Sequence, residues 1–161
     1  MLNCSRPKPE EAQSAASVRL AAMNLLARRE HSEQELRRKL ANRGYEQSLI
    51  DAAIASLLAD RLLDDARFTE AYIRYRGSNG YGPVRIRQEL KERGISDELL
   101  NDYLDERDSM WREKVSEVRN KRFRDSSPAD YKERARQARF LQYRGFTNEQ
   151  IQRVLQGNDW E

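Results

Sequence analysis

The chain is poor in the residues that build disulfides, metal sites and sheets. Among its 161 residues there is one cysteine, Cys4, and one histidine, His31. A lone cysteine excludes an internal disulfide and a cysteine-based zinc site, and it fits a reducing, cytoplasmic compartment. Valine, isoleucine and threonine together number 13, too few for a substantial sheet. No uncharged run exceeds eight residues, as in Leu20–Ala27, so no bilayer-spanning helix is expected. The first ten residues carry Arg6, Lys8 and Glu10 without an apolar block, so no secretory signal is expected either.

What the chain has is charge. Charged residues make up 35% and apolar residues 38%, a balance that suits several small helical bundles better than one deep core. The net charge of +3 is too weak to identify nucleic acid as a partner by itself. Its distribution is more informative. Arg67 to Arg93 holds seven basic residues, whereas Asp97 to Glu106 holds five acids and no base. Arginine outnumbers lysine 24 to 6. The planar guanidinium suits carboxylate and phosphate, so this bias favours a recognition surface. A solvated helical surface laced with i,i+4 ion pairs accounts for the same residues without a partner.

The strongest signal is a threefold repeat. With Gly44, Gly94 and Gly145 in register, 50 and 51 residues apart, the preceding residue is Arg43, Arg93 or Arg144. Four positions before the glycine stand Leu40, Leu90 and Leu141, and one after stand Tyr45, Ile95 and Phe146. Six and ten positions after come Ile50/Leu100/Ile151 and Ile54/Leu104/Leu155. Each copy reads as a helix ending in a left-handed glycine, an arginine complementing the helix dipole, and a second helix beginning beyond.

Helix starts are legible too. Ser96 and Thr147 are N-caps, and Ser32 with Glu35 and Thr147 with Gln150 have capping-box spacing. Gly82-Pro83 and Ser127-Pro128 each place proline at a first helical position. A further helix precedes each pair, at 15–29, 64–76 and 108–123, with apolar stripes Val18/Met23/Leu25/Leu26, Phe68/Ala71/Tyr72/Tyr75 and Trp111/Val115/Val118/Phe123. The expected fold is all-α. Three tandem three-helix modules at 14–63, 64–107 and 108–161 follow a flexible tail at 1–13 and form an elongated, curved repeat protein. Such a body offers a long binding surface rather than a catalytic pocket.

Candidate chemistry is sparse. Asp64-Asp65 could hold Mg²⁺ in a nuclease, but aspartates ahead of a helical stripe are ordinary caps. His31 has neither a second ligand nor a nucleophile beside it. Gly77-Ser78-Asn79-Gly80-Tyr81-Gly82 could cradle an anion, yet it lacks the lysine and the strand of a phosphate loop. No catalytic, cofactor-binding or metal-binding residue is assigned. The basic and aromatic stretch from Tyr72 to Arg93 suits phosphate backbones or acidic protein surfaces. Its binding residues are Arg74, Arg76, Arg85, Arg87, Lys91 and Arg93. Arg37 and Arg38 in the first module, and Arg139 and Arg144 in the third, are outer contacts.

Four segments resemble the RecX family, bacterial regulators of the RecA recombinase. They are His31-Ser-Glu-Gln-Glu-Leu-Arg-Arg-Lys-Leu40 with Arg43-Gly44, then Leu63-Asp-Asp-Ala-Arg-Phe68. The third is Gly80-Tyr-Gly-Pro-Val-Arg-Ile-Arg-Gln-Glu-Leu90 with Arg93-Gly94-Ile95, and the fourth is Arg139-Phe-Leu-Gln-Tyr-Arg-Gly-Phe146 followed by Ile151. The likeness runs from about residue 17 to 156. It implies three three-helix repeats, a monomeric cytoplasmic protein without catalysis or cofactor, and binding along the RecA–DNA filament, with DNA alone bound weakly. There the family mostly inhibits recombinase, ATPase and coprotease activities, a role in recombinational repair and the SOS response. A free-standing helix-turn-helix DNA-binding protein is the alternative. One departure is Asp60-Arg61-Leu62, where relatives often carry glycine. A left-handed Arg61 would cost about 1–2 kcal/mol.

Overall fold

A computed structural model describes residues 14–124 and 127–157. Cys4 and Trp160 lie outside the described residues. Among these residues there are nine α-helices and no strand: α1 (Ala15–Leu26), α2 (Glu33–Asn42), α3 (Gln47–Ala59), α4 (Asp65–Ser78), α5 (Pro83–Glu92), α6 (Asp97–Tyr103), α7 (Ser109–Phe123), α8 (Tyr131–Arg144) and α9 (Asn148–Gln156). They fall in threes, as the repeat requires.

Side chains set most of the helix starts. Ser32, Ser96, Asp108 and Asp130 each accept a first-turn amide. Thr147 and Gln150 close a full capping box, with bonds of 3.2 and 2.9 Å. The Ser32–Glu35 box is only half formed. Ser32 accepts the Glu35 amide at 3.1 Å, but the Glu35 carboxylate is drawn away by Arg29 and Arg93, each at 3.1 Å. Pro83 opens α5 as expected. Pro128 does not open α8, because Asp130 offers an acceptor to the Glu133 amide at 2.8 Å and takes the cap itself.

The chain packs into two compact units. One comprises the residues up to Ala71 with Arg93–Ile95, the other Tyr72–Glu92 and the residues from Ser96 onward, so α4 contributes half to each. The first unit is built on Val18, Ala22 and Leu25 of α1, Leu36 and Leu40 of α2, and Ile50, Ala53, Ile54 and Leu57 of α3, with Leu63. Each fully buried leucine or isoleucine contributes about 1.5–3 kcal/mol. Met23 is 40% exposed, because the stripe runs 18–22–25 and the residue after Ala22 is rotated off it. In the second unit Ile86, Leu90, Leu100, Leu104, Trp111, Val115, Leu141 and Phe146 are buried. Tyr75 is 65% exposed, and Phe68 and Ile73 are the buried apolar residues of α4 instead.

Gly44, Gly94 and Gly145 take φ of 90°, 80° and 94°, the left-handed conformation that ends each second helix. Arg61 is left-handed as well, at φ 55°. Its strained turn is braced by the Arg67 guanidinium, which donates to the Arg61 and Leu62 carbonyls at 3.0 and 3.2 Å.

Two of the three Arg-Gly ends have a second task. In the first unit the Ser32 hydroxyl donates to the Arg93 carbonyl at 2.7 Å, and a Cβ on Gly94 would fall 2.6 Å from the Gln34 side chain. In the second unit the Gly82 and Val84 amides donate to the Arg144 and Gly145 carbonyls at 2.8 and 2.9 Å. A Cβ on Gly145 would fall 2.7 Å from the Arg85 nitrogen. In both places the C-terminus of a later module's second helix sits on the N-terminus of the preceding module's second helix, so their opposite partial charges meet.

Candidate functional site

The ten cations expected to form a binding face fall into two classes. In the first unit Arg37 of α2 is held by Glu33 at 3.1 Å and by Asp51, whereas Arg38, one residue on, is exposed and has no ion pair among the described residues. Arg93 reaches the Glu35 carboxylate, whose side chain is only 7% exposed. Glu35, with Arg29 and Lys39, acts on His31, which is buried. Its Nδ1 donates to the Arg29 carbonyl at 3.0 Å, leaving Nε2 to accept from the Lys39 ammonium at 3.0 Å. Burial, and then the Arg29 charge, hold the imidazole below its ordinary range. His31 is therefore a neutral structural residue at the start of α2.

Asp64 and Asp65 resolve as caps on two different helices. Asp64 accepts the Ala66 and Arg67 amides at 2.8 and 3.2 Å, at the start of its own helix. Asp65 accepts the Glu33 amide at 2.7 Å, at the start of α2. Burial raises its carboxyl, and the Glu33 amide only partly offsets this. No group of three or more His, Cys, Asp or Glu that could hold a metal ion occurs among the described residues.

In the second unit the cations converge on one ring. Arg76, Arg85 and Arg144 lie 3.6, 4.8 and 5.0 Å from the centroid of Tyr81. One carboxylate serves this group. Arg76 grips Glu89 through two bonds of 2.8 and 2.6 Å, Arg85 reaches it at 3.1 Å, and the Tyr72 hydroxyl donates to it at 2.9 Å. Burial alone would raise the Glu89 carboxyl, but these donors hold it below its ordinary range. Arg85 also donates to the Tyr143 carbonyl at 3.2 Å, and Arg144 to the Asn79 carbonyl at 3.2 Å. Three guanidinium groups against one carboxylate leave this corner positive, beside Tyr143 at 73% exposure.

The remaining cations of the unit are dispersed. Arg87 is committed to Glu106 at 2.9 Å, Asn101 at 3.2 Å and the Leu104 carbonyl at 2.9 Å, where it closes the end of α6. Lys91 pairs with Asp97 at 2.8 Å and stays half exposed. Arg74 and Arg139 are exposed. Two features were not found from the sequence. Arg107, Arg112 and Arg153 line an open hollow with Arg87, and buried Arg119 donates to buried Gln137 at 3.0 Å. The first group comes from α5, the α6–α7 link, α7 and α9, and no periodicity marks it.

Family models described as the first, second and third three-helix domains of RecX match residues 19–57, 64–104 and 112–155. The chain belongs to the RecX family. Among curated relatives it is 45% identical over 149 residues to Regulatory protein RecX of Pseudomonas savastanoi pv. phaseolicola, covering 92% of this chain and 96% of the relative. It is 41% identical over 150 residues to Regulatory protein RecX of Halorhodospira halophila, covering 93% of each. The fold is that of the RecX crystal structure from Lactobacillus salivarius, with a TM-score of 0.75 at 23% identity over 88% of this chain and 94% of that one. The three matched ranges contain both the Tyr81 ring and the three Arg-Gly ends. Among the described residues, no helix is long and apolar enough to cross a membrane.

Proposed function

We propose that this RecX-family chain is a cytoplasmic, non-enzymatic regulator that binds along the RecA–DNA filament. There it mostly inhibits recombinase, ATPase and coprotease activity, and so acts in recombinational repair and the SOS response. The observation that carries this reading is the match to all three family domains in order. The charge pattern supports it. Linked modules that each make a weak contact gain effective concentration on a polymeric target. The positive corner around Tyr81, with exposed Arg74, Arg139 and Arg38, suits the phosphates and carboxylates such a filament presents. We assign Arg76, Arg85, Arg87, Lys91, Arg93, Arg37 and Arg144 to the binding residues as well, each held in place by its internal partners.

Those internal partners dictate the test. Reversing Arg85 and Arg87 would set new carboxylates against Glu89 and Glu106 and disturb the fold. Arg38→Glu with Arg139→Glu reverses two exposed charges and leaves those pairs intact. Co-sedimentation with RecA filaments on single-stranded DNA should fall at least about tenfold for this double variant, the loss of roughly 1.4 kcal/mol, with helical content unchanged. Filament binding equal to that of the parent removes these residues from the surface. Equally tight binding of the parent to naked duplex at the same salt supports a free-standing DNA-binding protein instead.

A further inference from the structure

The glycine-rich turn between α4 and α5 has the composition of an anion cradle but spends its amides internally. Asn79, Gly80 and Tyr81 donate to the Tyr75, Gly77 and Arg76 carbonyls at 3.2, 3.1 and 3.2 Å, and Gly82 donates to the Arg144 carbonyl at 2.8 Å. What the turn supplies is room. It walls one side of a hollow of about 680 Å³ that α7 and α8 complete. A Cβ on Gly80 would fall 3.1 Å from Val118 and 3.6 Å from the Arg144 guanidinium.

Four cations line this hollow, Lys114, Lys121 and Arg122 of α7 and Arg144 of α8, beside a single carboxylate, Glu117. None of the four makes an ion pair among the described residues. The Arg144 guanidinium meets the Asn79 carbonyl and the Tyr81 and Phe140 rings instead. The other cation-lined hollows differ. Beside Tyr143, Arg85, Arg87 and Lys91 are already paired with Glu89, Glu106 and Asp97. Around Arg107, four arginines share the wall with four carboxylates. Lys121 and Arg122 stand in the last turn of α7, where cations complement the helix dipole. Lys114 stands two turns earlier, where that field offers it nothing. Its stem nevertheless lies against the turn, since a Cβ on Gly77 would fall 3.4 Å from the Lys114 Cε. Lys114, Val118, Lys121 and Arg122 share one face of α7, and that face lines the hollow.

We infer that this hollow binds a compact polyphosphate chain, that of a nucleoside triphosphate or of an inorganic oligophosphate. Its volume suits a small-molecule site. Lys114 and Lys121 leave α7 about 10 Å apart, so their flexible stems bracket a run of phosphates rather than a single one. Arg122 and Arg144 add guanidinium forks that match phosphate oxygens. Four like charges gathered without counter-ions repel one another, and a polyanion among them replaces that repulsion with attraction. Phe140 and Val118 give the wall an apolar stretch against which a nucleotide base rests. Lys114, Lys121 and Arg122 are not among the filament-binding residues, so this inference stands apart from the identity of the filament.

Titration calorimetry on the full chain at physiological salt tests it, with ATP, inorganic triphosphate and a single-stranded oligonucleotide as probes. The parent should bind triphosphate at a single site. Lys114→Gln with Lys121→Gln should weaken that binding at least about tenfold. Glutamine keeps most of the stem that lies against Gly77, so circular dichroism should match the parent. Arg107→Gln with Lys132→Gln removes the same charge from exposed positions outside the hollow and should leave the affinity unchanged. Tighter binding of ATP than of inorganic triphosphate makes the ligand a nucleotide, and equal binding makes it the phosphate chain alone. A parent that binds neither overturns the inference. So does a Lys114/Lys121 variant that binds like the parent, or an equal loss from the Arg107/Lys132 pair. An oligonucleotide that displaces triphosphate and loses as much affinity through the Lys114 and Lys121 changes makes the hollow a strand site, and overturns it as well.

Discussion

The first module's Arg-Gly end and the third module's end are chemically alike and physically different. Both finish a second helix with a guanidinium near the negative pole and a glycine at φ 90° or 94°. At Gly44 the glycine answers to one demand, the left-handed backbone. At Gly145 it answers to a second, the approach of the α5 backbone to within a distance that no Cβ permits. Gly94 lies between, because what it would strike is the Gln34 side chain, whose amide can swing aside while its Cβ, 2.8 Å away, must shift with the backbone. An identical motif can thus hold its residue for conformational reasons in one copy and for packing reasons in another.

Substituting the glycines is the sharpest way to separate those reasons. Gly145→Ala should cost about 3 kcal/mol, with left-handed strain and overpacking against Arg85 acting together. Gly94→Ala should cost less, and Gly44→Ala only about 1 kcal/mol. Urea unfolding of the three variants orders them, and equal losses at Gly44 and Gly145 would mean that the α8–α5 contact adds nothing to stability.

Acid should loosen the docked Arg93 end before the Arg144 end. His31 sits beside Ser32, which holds the Arg93 carbonyl. Burial, then Arg29, depress its pKa below the ordinary 6.5, so the unfolded chain takes up this proton first as pH falls. Its contribution is complete above pH 6.5 and is lost as pH drops through the folded value. Glu89, near the other end, is depressed below 4.5, and its contribution fails only in stronger acid. Hydrogen exchange between pH 7.5 and 5 should therefore show the Glu33 and Glu35 amides at the start of α2 opening while the Gly145 and Phe146 amides stay protected.

The smallest effect is expected at Arg61. Arg61→Gly relieves a left-handed arginine at φ 55° and should stabilise the first unit by about 1 kcal/mol. Loss of the strain is partly offset by the freedom glycine gains in the unfolded chain. Thermal unfolding reads the difference.

Most of the helices were legible because their signals are local. Ser96, Thr147, Pro83 and the three glycines act on backbone within a turn of themselves, so spacing alone predicts them. The misreadings at Ser127-Pro128 and at the Ser32–Glu35 box share one origin. Each local signal met a competitor, Asp130 in the first case and the arginines around Glu35 in the second. The candidate surface was legible as composition but not as state. Arg87 and Arg139 look equivalent in sequence, yet one is bound by three partners and the other is exposed.

By itself the sequence determined the all-α class, the threefold register and the arginine that precedes each terminal glycine, since helix stripes, caps and left-handed turns need only near neighbours. Tertiary structure alone decided which Arg-Gly ends are occupied, that three guanidinium groups share the Tyr81 ring, and which cations remain exposed. Those outcomes join residues up to 65 positions apart, as in the Arg144–Asn79 bond. Contacts at that separation are fixed by how helices pack, which no local pattern encodes.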